Sequence, residues 1–274
     1  MGKIYAMFFS ATDTTRKTVM TIASELSMEL DHEFEVYDFT LPYMRESQPS
    51  FKEDDIVVFG TPVIAGRVPN VLLPYLKALD GGHALAIPVV LYGNRNYDDA
   101  LIELRDLLEM AGFQTVAAGA FIGEHSFSKT LAAGRPDDED MKMMKKFAAE
   151  IVKKILCYKG DYPVYVKGEF PYRNYYQPQD RHGNAIDIRK VKPKVSDACN
   201  RCGLCVTVCP MGSISREDVS KYTGICMKCG ACIKKCPKQA RYYDDEGYLY
   251  HKKELEEMYE RRAQPEFFVG YVSD

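Results

Sequence analysis

The chain has 274 residues, 46% hydrophobic and 27% charged, which is typical of a globular protein with room for two domains. Its 36 basic and 39 acidic side chains nearly cancel, and this balance argues against a nucleic-acid-binding surface. The longest nearly apolar run, 84–92, is nine residues long, far short of the roughly 20 that span a membrane. The apolar run 4–9 is also too short for the core of a secretory signal, so we expect a cytoplasmic protein.

The first 157 residues alternate short apolar runs with segments of helical periodicity, a pattern that predicts an α/β domain with a parallel sheet. The apolar runs predict five strands, at 3–9, 33–39, 55–60, 85–92 and 113–122. Helices are predicted at 14–30, 68–79 and 100–111, the last of them capped by Gly112. A fourth helix is predicted to start after Pro136 and to end with Lys153 and Lys154. We expect this domain to end near residue 158.

Residues 159–194 contain four prolines and show no helical period. We predict a linker or strap that lies extended on one or both domains, because its aromatic side chains would otherwise face water. These aromatic residues are Tyr162, Tyr165, Phe170, Tyr172, Tyr175 and Tyr176. Beyond a small domain at 195–245, the region 246–274 is predicted to hold a charged helix over 251–263 and a docking tail. The tail contains Phe267, Phe268, Val269 and Tyr271.

Eight of the nine cysteines lie within 38 residues, in two copies of the pattern C-x2-C-x2-C-x3-C-P that are displaced by 27 residues. The copies are Cys199, Cys202, Cys205 and Cys209, followed by Pro210, and Cys226, Cys229, Cys232 and Cys236, followed by Pro237. In a reducing compartment this arrangement indicates metal binding rather than disulfides. The spacing favours iron–sulfur clusters, and zinc, which commonly uses separated C-x2-C pairs, is the alternative. Cys157 is expected to be a small buried apolar residue near a helix end.

This spacing is found in bacterial two-cluster ferredoxins, and residues 195–245 resemble that family. The resemblance implies that one [4Fe–4S] cluster is held by Cys199, Cys202, Cys205 and Cys236. It implies that the other is held by Cys226, Cys229, Cys232 and Cys209. Gly203 and Gly230 follow the second cysteine of each copy, and their missing side chains would let backbone N–H groups approach cluster sulfur, which raises the reduction potential.

The segment from Ser10 to Thr15, sequence SATDTT, connects the first strand to a predicted helix start. Free backbone N–H groups and hydroxyls at such a position suit a phosphate, although simple helix capping is the alternative. Neither a G-x-G-x-x-G nor a G-x4-G-K-[ST] pattern occurs. Loops at 60–67 and 92–97 follow the third and fourth strands, and ligands of open α/β sheets bind beyond the carboxyl ends of strands.

With these three loops in this order, residues 1–158 resemble the flavodoxin family. The resemblance implies a flavodoxin-like doubly wound parallel sheet of five strands, in the order 2-1-3-4-5, and a bound FMN. The phosphate is expected on Ser10, Thr12, Thr14 and Thr15. The flavin ring is expected between the two later loops, against Pro62, Val63, Ile64, Ala65, Gly66, Tyr92, Gly93, Asn94, Arg95 and Tyr97. Tyr97 is the residue expected to stack on the ring.

Two positions depart from the family's T/S-x-T-G-N-T loop: Asp13 replaces the glycine and Thr14 the asparagine. A carboxylate beside a phosphate dianion opposes binding, and Arg16 and Lys17 are expected to offset its charge. His125 follows the fifth strand on the same sheet edge. We interpret it as a proton donor near the flavin or as a hydrogen-bonding bridge toward the clusters. The alternative is that its side chain only makes hydrogen bonds with the backbone of its own loop.

The whole chain resembles the flavodoxin-like/ferredoxin fusion proteins of anaerobic prokaryotes. This resemblance implies a cytoplasmic protein that relays electrons between FMN and two [4Fe–4S] clusters, converting two-electron into one-electron transfer, with a redox protein or a small molecule as partner. One alternative is an FMN-dependent reductase with a substrate pocket lined by Ile64, Tyr97 and His125. Another is a redox or oxygen sensor that binds a partner, and whether the chain forms a homodimer stays open.

Overall fold

The computed structural model describes residues 2–157 and 162–270. Its amino-terminal part is an open α/β sheet whose central strands are nearly all apolar, as expected for strands covered on both faces. The strands of this part are β1 (Lys3–Phe8), β2 (Glu33–Asp38), β3 (Ile56–Pro62), β4 (Leu85–Tyr92), β5 (Gln114–Thr115) and β6 (Ala117–Ile122).

The strand order of this sheet is β2-β1-β3-β4-β6, with all of these pairs parallel and the short β5 also paired with β4. The predicted fifth strand is therefore a single strand interrupted at Val116, whose N–H still donates to Ala86 O at 3.1 Å. When β5 and β6 are counted as one strand, the predicted order 2-1-3-4-5 is confirmed. The sheet is doubly wound in the flavodoxin manner.

The carboxyl-terminal segment adds a further strand, β9 (Glu266–Val269), which pairs antiparallel with β6. The predicted docking tail is thus wrong for Phe267, Phe268 and Val269, because they are bound into the edge of the sheet. The ring of Phe267 lies 5.2 Å from that of Phe147 inside the fold. Tyr271 lies outside the described residues.

Helices cover both faces of the sheet. The helices α1 (Thr14–Leu30) and α4 (Asp138–Leu156) bury their apolar faces on one side, and α2 (Leu73–Leu76) and α3 (Ala100–Met110) on the other. The helix predicted over 68–79 shrinks to α2 and a 3₁₀ turn, because Pro69 and Pro74 lack the N–H groups that a continuous helix needs. At the start of α4, Asp137 accepts hydrogen bonds from the N–H groups of Glu139 and Asp140, a complete capping box.

The cysteine-rich part contains two short helices, a two-stranded sheet and one long helix. These elements are β7 (Lys194–Val195), α5 (Leu204–Thr207), α6 (Ala231–Lys234), β8 (Arg241–Tyr242) and α7 (Glu246–Met258). Helix α7 starts five residues before its predicted start because Asp245 caps it, accepting a hydrogen bond from Tyr248 N at 2.8 Å.

The described part of the strap, from residue 162 onward, runs along the sheet domain and reaches α7. Tyr175 Oη donates to Val68 O at 2.8 Å, and Tyr176 N donates to Ala65 O at 2.8 Å. The expectation that its aromatic side chains avoid water fails for Tyr165 and Phe170, which are 75% and 80% exposed. No helix in the described ranges is both long and apolar enough to cross a membrane.

Candidate functional site

The eight clustered cysteines line two recesses. Recess I contains Cys199, Cys202, Cys205 and Cys236, and recess II contains Cys209, Cys226, Cys229 and Cys232. Each recess therefore takes three cysteines from one copy of the motif and the fourth from the other copy. Within the described ranges, no three His, Cys, Asp or Glu side chains are placed to hold a single metal ion.

The two copies of the motif have nearly the same backbone. Gly203 and Gly230 have φ values of 77° and 76°, and Arg201 and Lys228 have φ values of 56° and 57°. The N–H groups of Ser213 and Ala240, again 27 residues apart, each donate to a cysteine Sγ at 3.4 Å. Both recesses thus present backbone donors to sulfur, the kind of contact that supports an iron–sulfur cluster.

The two recesses differ in their surroundings. In recess II, burial raises the pKa of the Cys229 and Cys232 thiols to about 12. Buried thiols of this kind become thiolate ligands only when a bound positive charge compensates for the lost water. Recess I differs in that one of its cysteines, Cys202, is exposed to solvent.

Recess II also contains a buried hydroxyl without a partner. Tyr243 lines this recess, and its Oη is buried and makes no hydrogen bond within the described part of the protein. Burial raises the pKa of Tyr243, so the phenol stays protonated and can donate. An unpaired donor on a residue that lines the same recess as four cysteines fits a bound group with acceptor sulfur.

The cysteine-rich part docks on the carboxyl edge of the parallel sheet. Lys234, in α6, forms an ion pair with Glu124 and donates to His125 O at 2.7 Å and Ser128 O at 3.1 Å. On the other side of the edge, Arg45 donates to Pro210 O at 2.6 Å. The residues of recess II share this interface, because Pro210, Gly230 and Ala231 line the recess and Ala231 is fully buried in the core of the sheet domain.

Gly230 is required at this contact for a reason that Gly203 does not share. A Cβ at position 230 would lie 2.6 Å from Ser126 O, whereas a Cβ at position 203 would meet nothing within 4 Å. The second copy of the motif therefore packs on the sheet domain more closely than any side chain at 230 would allow.

The predicted phosphate loop lies beside this interface. Ser10 Oγ accepts a hydrogen bond from Arg16 N at 2.9 Å, and Ser10 N donates to Thr40 Oγ1 at 2.7 Å. Amides in the first turn of a helix have no acceptor within the helix, so those of Thr14 and Thr15 are free to bind an anion. Thr12 and Thr14 are partly exposed here, whereas Thr15 is buried.

Asp13 lies at the same loop, and its charge is offset by a residue that the sequence analysis missed. Lys235 Nζ lies 2.9 Å from the Asp13 carboxylate, whereas Lys17 is directed away and donates to Pro136 O at 2.7 Å. The expectation for Lys17 is therefore wrong, because its ammonium group is held by that carbonyl. The cation at the predicted phosphate loop is instead Lys235, which belongs to the cysteine-rich part.

The loop after β3 keeps an accessible apolar strip, since Pro62, Val63, Ile64 and Ala65 are partly exposed, whereas Gly66 is buried. The loop after β4 is instead held by contacts with other parts of the chain. Asn94 donates to the carbonyls of Tyr259 and Arg261 at 2.7 and 2.6 Å, so it binds the segment that follows α7. Arg95 forms an ion pair with Asp98 and lies over the ring of Tyr176 at 4.5 Å.

Tyr97 is not free to stack on a flavin. Its side chain is only 4% exposed, its ring lies 5.6 Å from that of Tyr92, and its Oη donates to Glu266 at 2.8 Å. The prediction of a stacking role is corrected because β9, whose residues were expected to form a docking tail, supplies the Glu266 carboxylate that binds this tyrosine. Tyr97 therefore does not line an open substrate pocket with Ile64 and His125.

His125 lies between the sheet edge and the cysteine-rich part. Its Nδ1 accepts a hydrogen bond from Phe127 N at 3.1 Å, which is the local backbone role given above as the alternative. Burial, assisted by the positive charge of Lys234, lowers its pKa to about 4, so the imidazole is neutral at pH 7. A Cβ at Gly93 would lie 2.3 Å from the His125 ring, which places the ring directly against the loop after β4.

Sequence reasoning overlooked Lys234, Lys235 and Tyr243. One signal could have identified them: at the equivalent positions, 27 residues earlier, the first copy has Thr207, Val208 and Arg216. Positions at which a duplication differs are candidates for contacts that only one copy makes. Cys157 was also misjudged, because it follows the end of α4 but is exposed.

Known proteins resemble parts of this chain. Residues 198–241 match the family described as a 4Fe-4S dicluster domain. A flavodoxin of Streptococcus pneumoniae TIGR4 is 19% identical over 56% of this chain and 98% of that chain, with a TM-score of 0.38. Flavodoxin 1 of Bacillus cereus is 21% identical over 56% of this chain and 98% of that chain, with a TM-score of 0.39. Rubredoxin oxygen:oxidoreductase from the anaerobe Desulfovibrio gigas is 16% identical over 57% of this chain and 36% of that chain, with a TM-score of 0.42.

The comparison with curated proteins gives no match. The strand order and the matched segment carry the assignment: the chain combines a flavodoxin-like α/β fold with a segment, 198–241, that is similar to the 4Fe-4S dicluster family.

Proposed function

We propose that the protein is an electron relay in which FMN, bound at the carboxyl edge of the sheet, exchanges electrons with a [4Fe–4S] cluster in recess II and, through it, with a second cluster in recess I. The observation that carries this proposal is the docking of α6. Lys234 and Gly230 hold the wall of recess II against the same sheet edge that carries the phosphate loop. A donor and an acceptor of electrons would thus be neighbours within one chain.

The phosphate of FMN would bind at the start of α1. The amides of Thr14 and Thr15 supply unpaired donors there, the Thr12 hydroxyl adds a further one, and the helix dipole favours an anion. Lys235 would supply the cation, shared with Asp13. The departure of the loop from the family pattern is therefore compensated by the cysteine-rich part.

The flavin ring would lie on the apolar strip formed by Pro62 to Ala65, opposite Gly93. The lack of a side chain at Gly93 lets the His125 ring approach the loop after β4. His125 is neutral there, and its Nδ1 is occupied by Phe127 N–H, so Nε2 is the nitrogen that carries the remaining proton. We assign His125 a role as a hydrogen-bond donor at this edge, rather than as an acid.

The cysteine ligands would be those that line each recess. Iron–sulfur clusters accept one electron at a time, and FMN supplies the chemistry that connects such steps to two-electron partners. The protein contributes burial and fixed positions: Cys229 packs against the core of the sheet domain, while Cys202 opens recess I to solvent. A redox partner would therefore approach the protein at recess I.

We also propose 1–158 and 195–245 as the limits of the two functional domains, joined by the strap at 159–194 and followed by a carboxyl-terminal region at 246–274. The proposed setting is cytoplasmic and low in oxygen. The reductase alternative is less favoured, because Tyr97 is buried beneath β9.

The direct test is chemical analysis of protein purified without oxygen. We expect about eight iron, eight acid-labile sulfide and one FMN per chain, as two cubane clusters and one flavin require. Stopped-flow reduction should then show that flavin and clusters equilibrate within the protein. Zinc without sulfide would refute the redox function, and full iron with no flavin would refute the relay.

A further inference from the structure

Tyr243 is a partly exposed residue with a buried hydroxyl that no other group in the described structure uses. Its ring is stacked on that of Tyr248, with centroids 3.8 Å apart and planes at 25°, so its orientation is fixed by packing. Its Oη is buried and lacks a hydrogen-bond partner, and the residue lines recess II. Buried hydroxyls in folded proteins nearly always have a partner, so an unpaired one points to a group that completes the site.

The other tyrosine of recess II provides a contrast. Tyr222 also lines the recess, but its Oη donates to Pro193 O at 2.9 Å and accepts from Arg241 at 2.9 Å. Its hydroxyl is therefore fully used by the protein. Of the two tyrosines in the described wall of recess II, Tyr243 alone has a donor to offer.

We propose that the Tyr243 hydroxyl donates a hydrogen bond to a sulfur atom of the cluster bound in recess II and so raises the reduction potential of that cluster. The inference rests on the proposed function, because it requires a cluster in this recess. The physical reason for the direction is electrostatic. Reduction adds negative charge to the cluster, and a donor aimed at its sulfur stabilises the reduced form more than the oxidised form.

The duplication makes this contact specific to one cluster. The position 27 residues before Tyr243 is Arg216, and the described wall of recess I contains no tyrosine. The hydroxyl is therefore a feature of recess II that is absent from the equivalent place in the first copy. Two clusters with matching cysteine spacing are thereby given different environments.

The test compares Tyr243→Phe with Tyr248→Phe, its control. Each variant removes one hydroxyl and keeps the stacked pair of rings, but only Tyr243 lines the recess. EPR-monitored redox titration of the iron-replete protein should show a lower potential for one cluster in Tyr243→Phe and unchanged potentials in Tyr248→Phe. Cys202→Ser, which alters recess I alone, assigns the two potentials, and the shifted one should belong to recess II.

A second measurement does not depend on any substitution. In the unmodified protein, exchange into deuterated water should shift iron–sulfur stretching bands in resonance Raman spectra, and Tyr243→Phe should lose part of that shift. Eight iron with unchanged potentials and an unchanged isotope shift in Tyr243→Phe would overturn this inference and leave the relay intact. Protein without cluster iron would overturn both.

Discussion

The two copies of the cysteine motif share a backbone and differ in nearly everything around it. Matching positive φ values and matching N–H···S contacts occur 27 residues apart. However, recess II is built into the contact with the sheet domain, whereas recess I opens to solvent at Cys202. The comparison teaches that the motif determines how a cluster is held, while packing on the rest of the chain determines what each cluster can reach.

The largest difference between the two recesses is expected when one cysteine ligand is removed from each in turn. Cys232→Ser should lose the cluster of recess II, about four of the eight iron atoms, and with it electron exchange between the clusters and the flavin. Cys202→Ser should affect recess I and leave exchange with the flavin in place. Iron analysis and stopped-flow reduction check this, and equal loss of exchange in both variants would contradict the assigned order.

Gly203 and Gly230 form a matched pair for measuring the docking contact. Alanine at either position is strained by the left-handed backbone, which costs about 1–2 kcal/mol. Gly230→Ala must also displace Ser126 O, so it should lose a further ~1–3 kcal/mol of unfolding free energy. Chemical denaturation measures both values, and equal destabilisation would show that the contact at Ser126 is loose.

Lys234 should contribute to the same docking through its ion pair. Lys234→Met leaves the partly buried Glu124 carboxylate without its cation and removes donors to two carbonyls, so we expect a loss of about 2–3 kcal/mol. Lys142→Met, at an exposed position on α4 and outside both recesses, is the control and should change stability little. Thermal unfolding of the cluster-loaded proteins distinguishes the two.

Two neutral histidines near this interface predict a pH dependence. Burial lowers the pKa of both His125 and His251 to about 4, below the value of about 6.5 in the unfolded chain. The unfolded chain therefore binds more protons below pH 6.5, and stability falls as the pH drops from 6.5 toward 4. At pH 5 the loss should be at most about 2 kcal/mol for each histidine.

The corresponding measurement compares unfolding free energies at pH 7 and pH 5. His125→Gln and His251→Gln should each flatten the dependence, whereas the exposed His182→Gln should preserve it. A dependence that survives in the double variant would show that other groups cause it.

The smallest expected effects concern the phosphate loop. Asp13→Asn should tighten FMN binding a few-fold by removing a negative charge beside the phosphate, and Lys235→Gln should weaken it by a similar factor. Quenching of flavin fluorescence during titration measures both. If Lys235→Gln leaves FMN affinity unchanged, the cysteine-rich part does not help to bind the phosphate.

The strands and helices that the sequence predicts well are those with a clear period. Helix α1 and strand β4 have the predicted limits, since each has an uninterrupted apolar pattern. Prediction failed for Phe267 to Val269 and for Tyr97, because short apolar segments do not reveal which distant strand they pair with. The burial of Tyr97 depends on β9, which lies about 170 residues later in the chain.

The sequence by itself determined the positions of the strands and main helices, the duplicated cysteine spacing and the loops at the carboxyl edge, because periodicity, turn residues and ligand spacing are local properties. The order of the strands in the sheet is not local, and it was expected only from the resemblance to the flavodoxin family. Only the tertiary structure decided which recess lies against the sheet, which lysine reaches Asp13 and which of the tyrosines that line recess II has an unpaired hydroxyl. These contacts join residues more than 100 positions apart, or distinguish two copies of one motif. They arise from the docking of the cysteine-rich part on the sheet domain, and no local pattern encodes that docking.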